Sequence, residues 1–329
     1  MWVRRARRAA WGAAALGAAF LALRVVWPAL VVAAPRTETR TLVVGGRARS
    51  YRLHHPEAWD PEQPLPLVLA FHGHTATGRT MEYESGLDAA ADRARVLVAY
   101  PDGVSRVPAL ARVPLVGPAL AGLTRTWNVG ACCAPASTDA VDDVAFAAAV
   151  VRTLAADGSV DPARVYATGF SIGGTLALKL ACDRAGLVAA VASIEGTMPD
   201  VACAPPAPTP VWLVRGGEDA ELRADLAENR GQGGSYRFAE SMRVALAFWA
   251  RRNACAGPVV RHATARVATE AYAGCPGALA AAQLLVHGNA HAWPGGRRPW
   301  LLAPRPAPGV PLSRWLLTFF LAHGGAPTR

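Results

Sequence analysis

The stretch Val165-Tyr-Ala-Thr-Gly-Phe-Ser-Ile-Gly-Gly174 joins a β-branched and aromatic run to a helix-like segment at residues 175–182. Gly169, Ser171 and Gly173 give it the pattern G-x-S-x-G. A sharp strand-to-helix turn strains the backbone at the serine, and a Cβ at either glycine would strike neighbouring chain. The pattern therefore predicts a nucleophile elbow, with the serine hydroxyl lifted clear and the first helix amides facing it. A glycine turn that happens to hold a serine is the alternative.

The serine of an elbow needs a base, and the base needs a carboxylate that orients it. On a parallel sheet these partners follow later strands, in the order serine, acid, histidine. Asp219 follows a predicted strand, and we prefer it to Glu218 and Glu195 as the acid. After the last predicted strand, we prefer His291 to His287 as the base, because His291 lies on a loop free to bend.

The loop at residues 72–75 follows another apolar strand and contains a glycine that lets backbone amides approach a ligand. We expect the oxyanion of a reacting ester to be held by the amide of Ile172 and by one amide of this loop, that of His74. For the rings of His72 and His74 we expect structural roles.

Hydrophobic patterning predicts strands alternating with helices over most of the chain. A β-hairpin is expected around Gly45-Gly46, at residues 39–44 and 49–54. Continuous apolar runs typical of strands buried on both faces lie at 65–71, 95–100, 188–194, 211–214 and 283–286, and helical patterns lie at 86–94, 139–156, 238–252 and 312–323. This alternation predicts an α/β protein with a mostly parallel sheet covered by helices. The apolar stretch 104–123 is interpreted as a flap at the mouth of the site, and a lipid-facing patch or a packed excursion are the alternatives.

The first 34 residues differ from the rest of the chain. They contain five arginines and no acids, and an apolar run covers residues 9–34 with interruptions at Arg24 and Pro28. A positive segment followed by an apolar one is typical of an export signal, either cleaved or kept as a signal anchor. We expect residues 1–34 to be this segment and residues 35–329 to form one catalytic domain. That domain is expected to be secreted or periplasmic, with membrane association through the N-terminal segment as an option.

The formal charge of +10 has a partly local origin. Outside the first 34 residues, 29 basic residues stand against 24 acidic ones, and no Lys/Arg run or interleaved aromatic pattern marks them. We therefore expect no nucleic-acid partner.

The six cysteines are Cys132, Cys133, Cys182, Cys203, Cys255 and Cys275. An even number in an exported chain favours disulfides. None forms a C-x2-C pair with histidines at zinc spacing, so no metal is expected. The closest spacings that connect separate elements predict Cys182–Cys203 and Cys255–Cys275. Cys132 and Cys133 are left as a vicinal pair or as two thiols, and six reduced, buried cysteines are the alternative.

Together these motifs resemble the secreted α/β-hydrolase esterases grouped with polyhydroxybutyrate depolymerases and feruloyl esterases. The resemblance runs from about Arg49 to His323. It rests on Phe71-His-Gly73, Tyr100-Pro-Asp-Gly103, Trp127 with Cys132-Cys133, Val141-Asp-Asp-Val-Ala-Phe146, residues 164–174 and 216–219, Asn253-Ala-Cys255, Gly274-Cys275 and His291-Ala-Trp-Pro-Gly295.

The resemblance implies the α/β-hydrolase fold, a three-layer sandwich with a mostly parallel central sheet. It implies a serine esterase without a cofactor, with Ser171, Asp219 and His291 as the triad, and it supports Cys255–Cys275. The implied substrates are polyhydroxyalkanoate-type polyesters, feruloyl or other aryl esters, or short-chain esters. Trp127 and Trp293, which lie in two of the motifs, are expected to contact substrate.

Departures from the family pattern leave the substrate open. The family's His-Gly-Thr-x-Asp run is Arg215-Gly-Gly-Glu-Asp219 in this chain, and Ala290 replaces the glycine that commonly precedes the histidine. Two other functions use the same residues or fold. One is acyl transfer to an alcohol by the same triad, and the other is non-catalytic binding to a polymer or cell surface.

Overall fold

The computed structural model describes residues 36–60, 62–107, 121–122, 124–130, 132–184, 186–199, 203, 207–220 and 242–323. The expected leader at 1–34, most of the apolar stretch 104–123 and the first residues of the helix expected at 238–252 lie outside this described part.

Ten strands of the described residues form one sheet, in the order β1-β2-β4-β3-β7-β8-β9-β12-β11-β10. The strands are β1 (Thr37–Val44), β2 (Arg47–His54), β3 (Leu65–Phe71), β4 (Leu97–Pro101), β5 (Val104–Ser105), β6 (Arg125–Thr126), β7 (Val160–Phe170), β8 (Ala190–Ile194), β9 (Val211–Gly216), β10 (Val259–Ala263), β11 (Val267–Tyr272) and β12 (Ala281–Val286), of which β5 and β6 pair separately. The six central strands, β4 to β12, pair in parallel. The hairpins β1-β2 and β10-β11 close the two edges with antiparallel pairing. The mostly parallel sheet predicted from the sequence is confirmed.

Six helices of the described part cover the sheet on both faces: α1 (Gly78–Ser85), α2 (Leu87–Ala94), α3 (Asp143–Ala156), α4 (Ile172–Asp183), α5 (Met242–Arg252) and α6 (Leu312–His323). Phe146 of α3, Leu176 of α4 and Trp249 of α5 belong to one buried cluster. Met81 of α1 and Leu316 of α6 belong to a second cluster on the opposite face, which also includes part of α2. The predicted three-layer sandwich is therefore also confirmed. No helix among these six has the length and apolar character needed to cross a membrane.

Helix α1 and strand β10 were not predicted, for different reasons. Helix α1 is capped by the Thr77 side chain, which accepts a hydrogen bond from Thr80 N over 3.1 Å, and it ends at Gly86 with φ 60°. Its sequence is rich in polar residues, so no apolar period marks it. Strand β10 is mostly exposed, and it is held by antiparallel pairing with β11 rather than by an apolar face of its own.

Two adjacent aspartates at the start of α3 have different roles. Asp142 caps the helix, accepting from Ala145 N over 2.7 Å, so the helix begins at Asp143 rather than at 139. The Asp143 carboxylate points into the core, where Arg49 Nη2 donates to its Oδ1 over 2.7 Å and Asn128 N donates to its Oδ2 over 2.7 Å. This buried ion pair joins β2 to α3.

All six cysteines are paired. Disulfides join Cys182 to Cys203 and Cys255 to Cys275, and Cys132 is bonded to Cys133. The expectation of disulfide bonds is confirmed, and the vicinal pair is the arrangement adopted at residues 132–133.

Candidate active site

The polar residues singled out from the sequence meet at one edge of the sheet. Ser171 follows β7, Glu195 follows β8, Asp219 follows β9, and His291 lies on the loop after β12. These four strands are parallel neighbours, so their carboxyl ends face the same side. In open α/β sheets, ligands bind in the crevice outside these strand ends.

The turn at Ser171 has the geometry of a nucleophile elbow. Its φ of 54° and ψ of −123° lie in a region that residues with a side chain rarely adopt. Ser171 N donates to Ile194 O over 2.8 Å, which anchors the turn to β8. A Cβ on Gly169 would collide with the backbone of Gly173, and one on Gly173 would collide with the carbonyl of Phe71. Both glycines are therefore required by close backbone packing.

His291 and Asp219 form a hydrogen-bonded pair. The His291 Nδ1 atom lies 2.7 Å from Asp219 Oδ2, and the Asp219 side chain is only 1 % exposed. A carboxylate at this distance holds the proton on Nδ1, which makes Nε2, on the opposite side of the ring, the basic nitrogen of the neutral imidazole. Of the acids weighed from the sequence, Asp219 is the one paired with His291.

Ser171 and His291 line the same cleft, which has a volume of about 360 Å³. The Phe170 ring lies 4.9 Å from the His291 ring, between centroids. The loop at residues 73–76 forms one wall of the cleft. Trp293, Trp300 and Pro299 give the other walls aromatic and apolar surface. The polar side chains among the lining residues include Thr80, Glu84 and Arg297.

Asn289 and Glu195 support the loop that carries His291. The buried Asn289 side chain donates to Glu195 Oε1 over 3.0 Å and to the carbonyls of Ala290 and Ala292 over 2.7 and 2.8 Å, and its Oδ1 accepts from Ala307 N over 2.8 Å. These bonds set the course of the chain on either side of His291.

Glu195 is a buried acid close to two other charged groups, Asp219 and Arg215. Burial raises its pKa well above the ordinary range, and the nearby charge of Asp219 acts in the same direction. Both effects favour the neutral form of the Glu195 carboxyl. Arg215, whose pKa is lowered by burial, is the cation of this group and lies near both acids.

Glu195, Asp219 and His291 are the described residues whose ligand atoms cluster most like a cation site, all within 4.8 Å of one another. Two properties work against a metal. The Nδ1 atom of His291 is already bonded to Asp219, and the raised pKa of Glu195 disfavours the ionised carboxylate that a metal ion would need.

The two histidines of the loop after β3 differ in role. His72 is buried, with Nε2 accepting from Gly103 N over 2.9 Å and Nδ1 donating to Gly73 O over 2.7 Å. Burial lowers its pKa to about 4, so it is neutral and structural. His74 lines the cleft, and its Nδ1 lies 3.1 Å from Thr126 Oγ1.

The expected oxyanion donors lie on either side of the elbow. Ile172 is the first residue of α4, where backbone N–H groups have no partner within the helix. In the facing loop, the Thr75 amide already donates to Arg125 O over 2.9 Å. Its neighbour His74, which lines the cleft, is therefore the better candidate of the two.

The two tryptophans expected to contact substrate have different positions. Trp293 lines the cleft, and its Nε1 donates to Ser313 Oγ over 3.0 Å. Trp127 does not line the cleft, and this expectation is corrected. Its ring is fully buried against Phe71, and its Nε1 donates to His72 O over 2.8 Å. Trp127 therefore supports the loop from beneath.

Three residues of the site were missed as site residues from the sequence alone. Asn289 and Arg215 carry no motif of their own, and their roles depend on which strands become neighbours. Glu84 lies on α1, a helix without an apolar period. The only local signal for that helix is Thr77 with Gly86, a capping threonine before it and a glycine after it.

Comparison with known proteins identifies esterases. The model of the putative esterase family matches residues 44–254. The putative esterase NocK of Nocardia uniformis subsp. tsuyamanensis is 33 % identical over 82 % of this chain and 77 % of its own length. Feruloyl esterase B of Piromyces equi is 27 % identical over 74 % of this chain, which spans 43 % of that longer protein.

A solved structure supports the same fold. Acetyl xylan esterase from Aspergillus awamori superposes with a TM-score of 0.50, covering 78 % of this chain and 94 % of its own, at 14 % identity. The resemblance to esterases predicted from the sequence is confirmed, and an enzyme is favoured over a non-catalytic binding module. The chain therefore belongs to the putative esterase family and is a carboxylic-ester hydrolase with the α/β-hydrolase fold.

Proposed function

We propose that this protein is a secreted serine esterase in which Ser171 is the nucleophile, His291 the general base and Asp219 the acid. The observation that carries the proposal is the 2.7 Å bond from His291 Nδ1 to Asp219 Oδ2 at a cleft that Ser171 also lines. A serine at an elbow, a histidine and a buried carboxylate at one sheet edge are the parts that acyl transfer to serine requires.

The reaction follows from these positions. Ser171 Oγ attacks the ester carbonyl while His291 Nε2 takes its proton. The tetrahedral intermediate collapses, the C–O bond to the alcohol breaks, and the imidazolium returns the proton to the leaving oxygen. Water then attacks the acyl-enzyme, His291 again takes and returns a proton, and the carboxylic acid leaves. Asp219 stabilises the imidazolium and keeps the proton on Nδ1.

The oxyanion is held by the amides of Ile172 and His74. Ile172 stands at the start of α4, where the helix dipole favours negative charge. Removing one such donor typically costs about 10²–10³ in turnover, so this pair is expected to supply a large share of the rate.

Glu195 acts as a positioning residue for Asp219. It is buried, its pKa is raised by burial and by the nearby charge of Asp219, and Asn289 donates to its Oε1. In its neutral form this carboxyl keeps a second negative charge out of the site. Asp219 is then fixed between this group and His291, which limits rotation of its side chain.

Aryl esters of the feruloyl type are the proposed substrates. Two observations support this choice: relatives named feruloyl esterases, and a cleft with Phe170, Trp293 and Trp300 on its walls. Polyhydroxyalkanoate and short-chain esters are tested as competing substrates. We further propose that residues 1–34 direct export and that residues 35–329 form one catalytic domain. The three disulfides support an oxidising compartment.

The test is hydrolysis of p-nitrophenyl acetate, methyl ferulate and a polyhydroxybutyrate suspension by the purified protein and by Ser171→Ala. The variant is expected to lose at least about 10³-fold in kcat on any ester that the parent cleaves. A fluorophosphonate probe is expected to label the parent and not Ser171→Ala. Ser137→Ala, at a turn that does not line the cleft, is the control and should label normally. Full turnover by Ser171→Ala would reject the triad.

A further inference from the structure

A carboxyl group outside the proposed triad lines the cleft. Glu84 belongs to α1 and lies one helical turn after Thr80, so both side chains point to the same side of the helix. Both residues line the cleft that Ser171 and His291 share. The proposed mechanism gives Glu84 no part in bond making or breaking.

The Glu84 carboxyl lacks the partners that buried acids normally have. The residue is 5 % exposed, and its Oε1 atom is enclosed without a hydrogen-bond partner. Burial alone raises the pKa of Glu84 to about 8, with no contribution from a neighbouring charge. An unsatisfied buried polar group destabilises the folded state, and such groups are rare in folded proteins. The carboxyl is therefore neutral at pH 7 and has hydrogen-bonding capacity to spare.

The nearest arginine along the cleft does not satisfy Glu84. The backbone N–H of Arg297 donates to the backbone carbonyl of Glu84 over 2.8 Å, which docks α1 on the loop beyond His291. The guanidinium of Arg297 lies over the ring of Tyr83, 5.5 Å from its centroid. The contact between these segments thus fixes the helix while leaving the Glu84 carboxyl to the cleft.

The rest of the cleft indicates what kind of group would bind there. Phe170, Trp293 and Trp300 provide aromatic surface, and Pro299 and Pro304 add flat apolar surface. Ligand sites typically combine such walls with a few polar groups that fix orientation. A neutral carboxyl both donates and accepts, and it imposes no charge on its ligand. An aromatic ring that carries an uncharged hydroxyl group suits this cleft, because the ring can pack on the walls and the hydroxyl can hydrogen-bond to the carboxyl.

We propose that Glu84 selects substrate by hydrogen bonding to a hydroxyl group on the aromatic ring of the acyl part of the ester. The inference rests on the proposed function, because it places the acyl group in the cleft beside Ser171. It goes further by naming the residue that would distinguish a hydroxylated ring from a bare one.

The first experiment compares kcat/KM for methyl 4-hydroxycinnamate and methyl cinnamate. The parent is expected to prefer the hydroxylated ester by roughly 10- to 100-fold, the range of one hydrogen bond to a buried polar group. Glu84→Leu should bring this ratio close to one, and Glu84→Gln, which keeps a donor and an acceptor, should retain part of it. Glu57→Leu, an exposed position away from the cleft, is the matched control and should keep the parental ratio. A ratio that Glu84→Leu leaves unchanged would overturn the inference.

A second measurement separates this inference from the proposed function. Calorimetry with Ser171→Ala protein measures binding of the same two esters without turnover. Tighter binding of the hydroxylated ester by at least tenfold, lost when Glu84→Leu is added, supports the inference even if the parent cleaves neither ester. Equal affinity for both esters, or no detectable binding of either, overturns it even if the parent proves to be an active esterase. Circular dichroism of each variant establishes that it is folded.

Discussion

Asn289 donates a hydrogen bond to Glu195 across 3.0 Å and thereby ties the loop of His291 to the end of β8. The same side chain amide holds two carbonyls on either side of His291. Asn289 thus positions the loop that carries the imidazole, and Asp219 holds the imidazole itself through the hydrogen bond to Nδ1. A rigid support of this kind keeps a base within the narrow range of geometry that acyl transfer needs.

Replacing Glu195 tests this network without touching the substrate. Glu195→Gln keeps a neutral hydrogen-bonding side chain of the same shape, and we expect its kcat to stay within about fivefold of the parent. Glu195→Leu removes the hydrogen bond from Asn289 that links the His291 loop to the end of β8, so its kcat should fall by roughly 10- to 100-fold. Because Glu195 only positions Asp219, KM should change little in either variant. A large rise in KM, or equal kcat in both variants, would argue against a positioning role.

The Asp219 carboxylate sets which nitrogen of His291 holds the proton. Asp219→Asn is nearly isosteric but can donate to Nδ1, which moves the proton to Nε2 and removes the base. We expect kcat to fall by about 10⁴-fold, as for the corresponding change in other serine triads. Glu218→Gln, at the neighbouring acid, is the control and should stay within a few-fold of the parent. The measurement is kcat of each variant for an activated ester. A loss in Glu218→Gln as large as in Asp219→Asn would contradict the assignment of Asp219 as the acid of the triad.

The sequence predicted the parts of this molecule that depend on neighbouring residues. The strand at 65–71 coincides with β3, the closing helix coincides with α6, and the glycines around Ser171 are required by the turn they were expected to make. In each of these places, local composition and backbone sterics determine the structure. The apolar runs also set the layer architecture, because strands buried on both faces need helices on both sides.

The parts that escaped prediction depend on distant contacts. Trp127 lies in a motif near the site, but its ring turns inward beneath His72, and the side to which a loop residue points is not encoded in its neighbours. Glu195 became a partner of Asp219 only because β8 and β9 pair side by side. Glu84 lies in a polar helix whose burial comes from packing on β3, β4 and the loop after His291.

The adjacent acids Asp142 and Asp143 have unequal importance for stability. Asp143→Ala leaves the Arg49 guanidinium buried without its partner, and the free energy of unfolding should fall by about 3–5 kcal/mol. Asp142→Ala removes only a helix cap on the surface, and it should cost about 1 kcal/mol. Urea denaturation of the two variants beside the parent measures both values. Equal losses would mean that the buried ion pair contributes no more than an exposed cap.

The raised pKa of Glu84 makes a specific prediction for stability against pH. In the unfolded chain this carboxyl loses its proton near its ordinary pKa of 4.5, whereas in the folded protein it holds the proton up to about 8. Between these values the folded state binds one more proton than the unfolded state, so rising pH destabilises the fold by about 1.4 kcal/mol per pH unit through this group. Glu84→Gln removes the ionisable group, so its free energy of unfolding should fall less steeply than that of the parent from pH 5 to pH 7.5. Urea denaturation at several pH values measures the two slopes, with Glu57→Gln, an exposed glutamate, as the control that should follow the parent. Parallel slopes for Glu84→Gln and the parent would show that Glu84 is ionised in the folded protein, and the neutral carboxyl invoked for substrate selection would then be wrong.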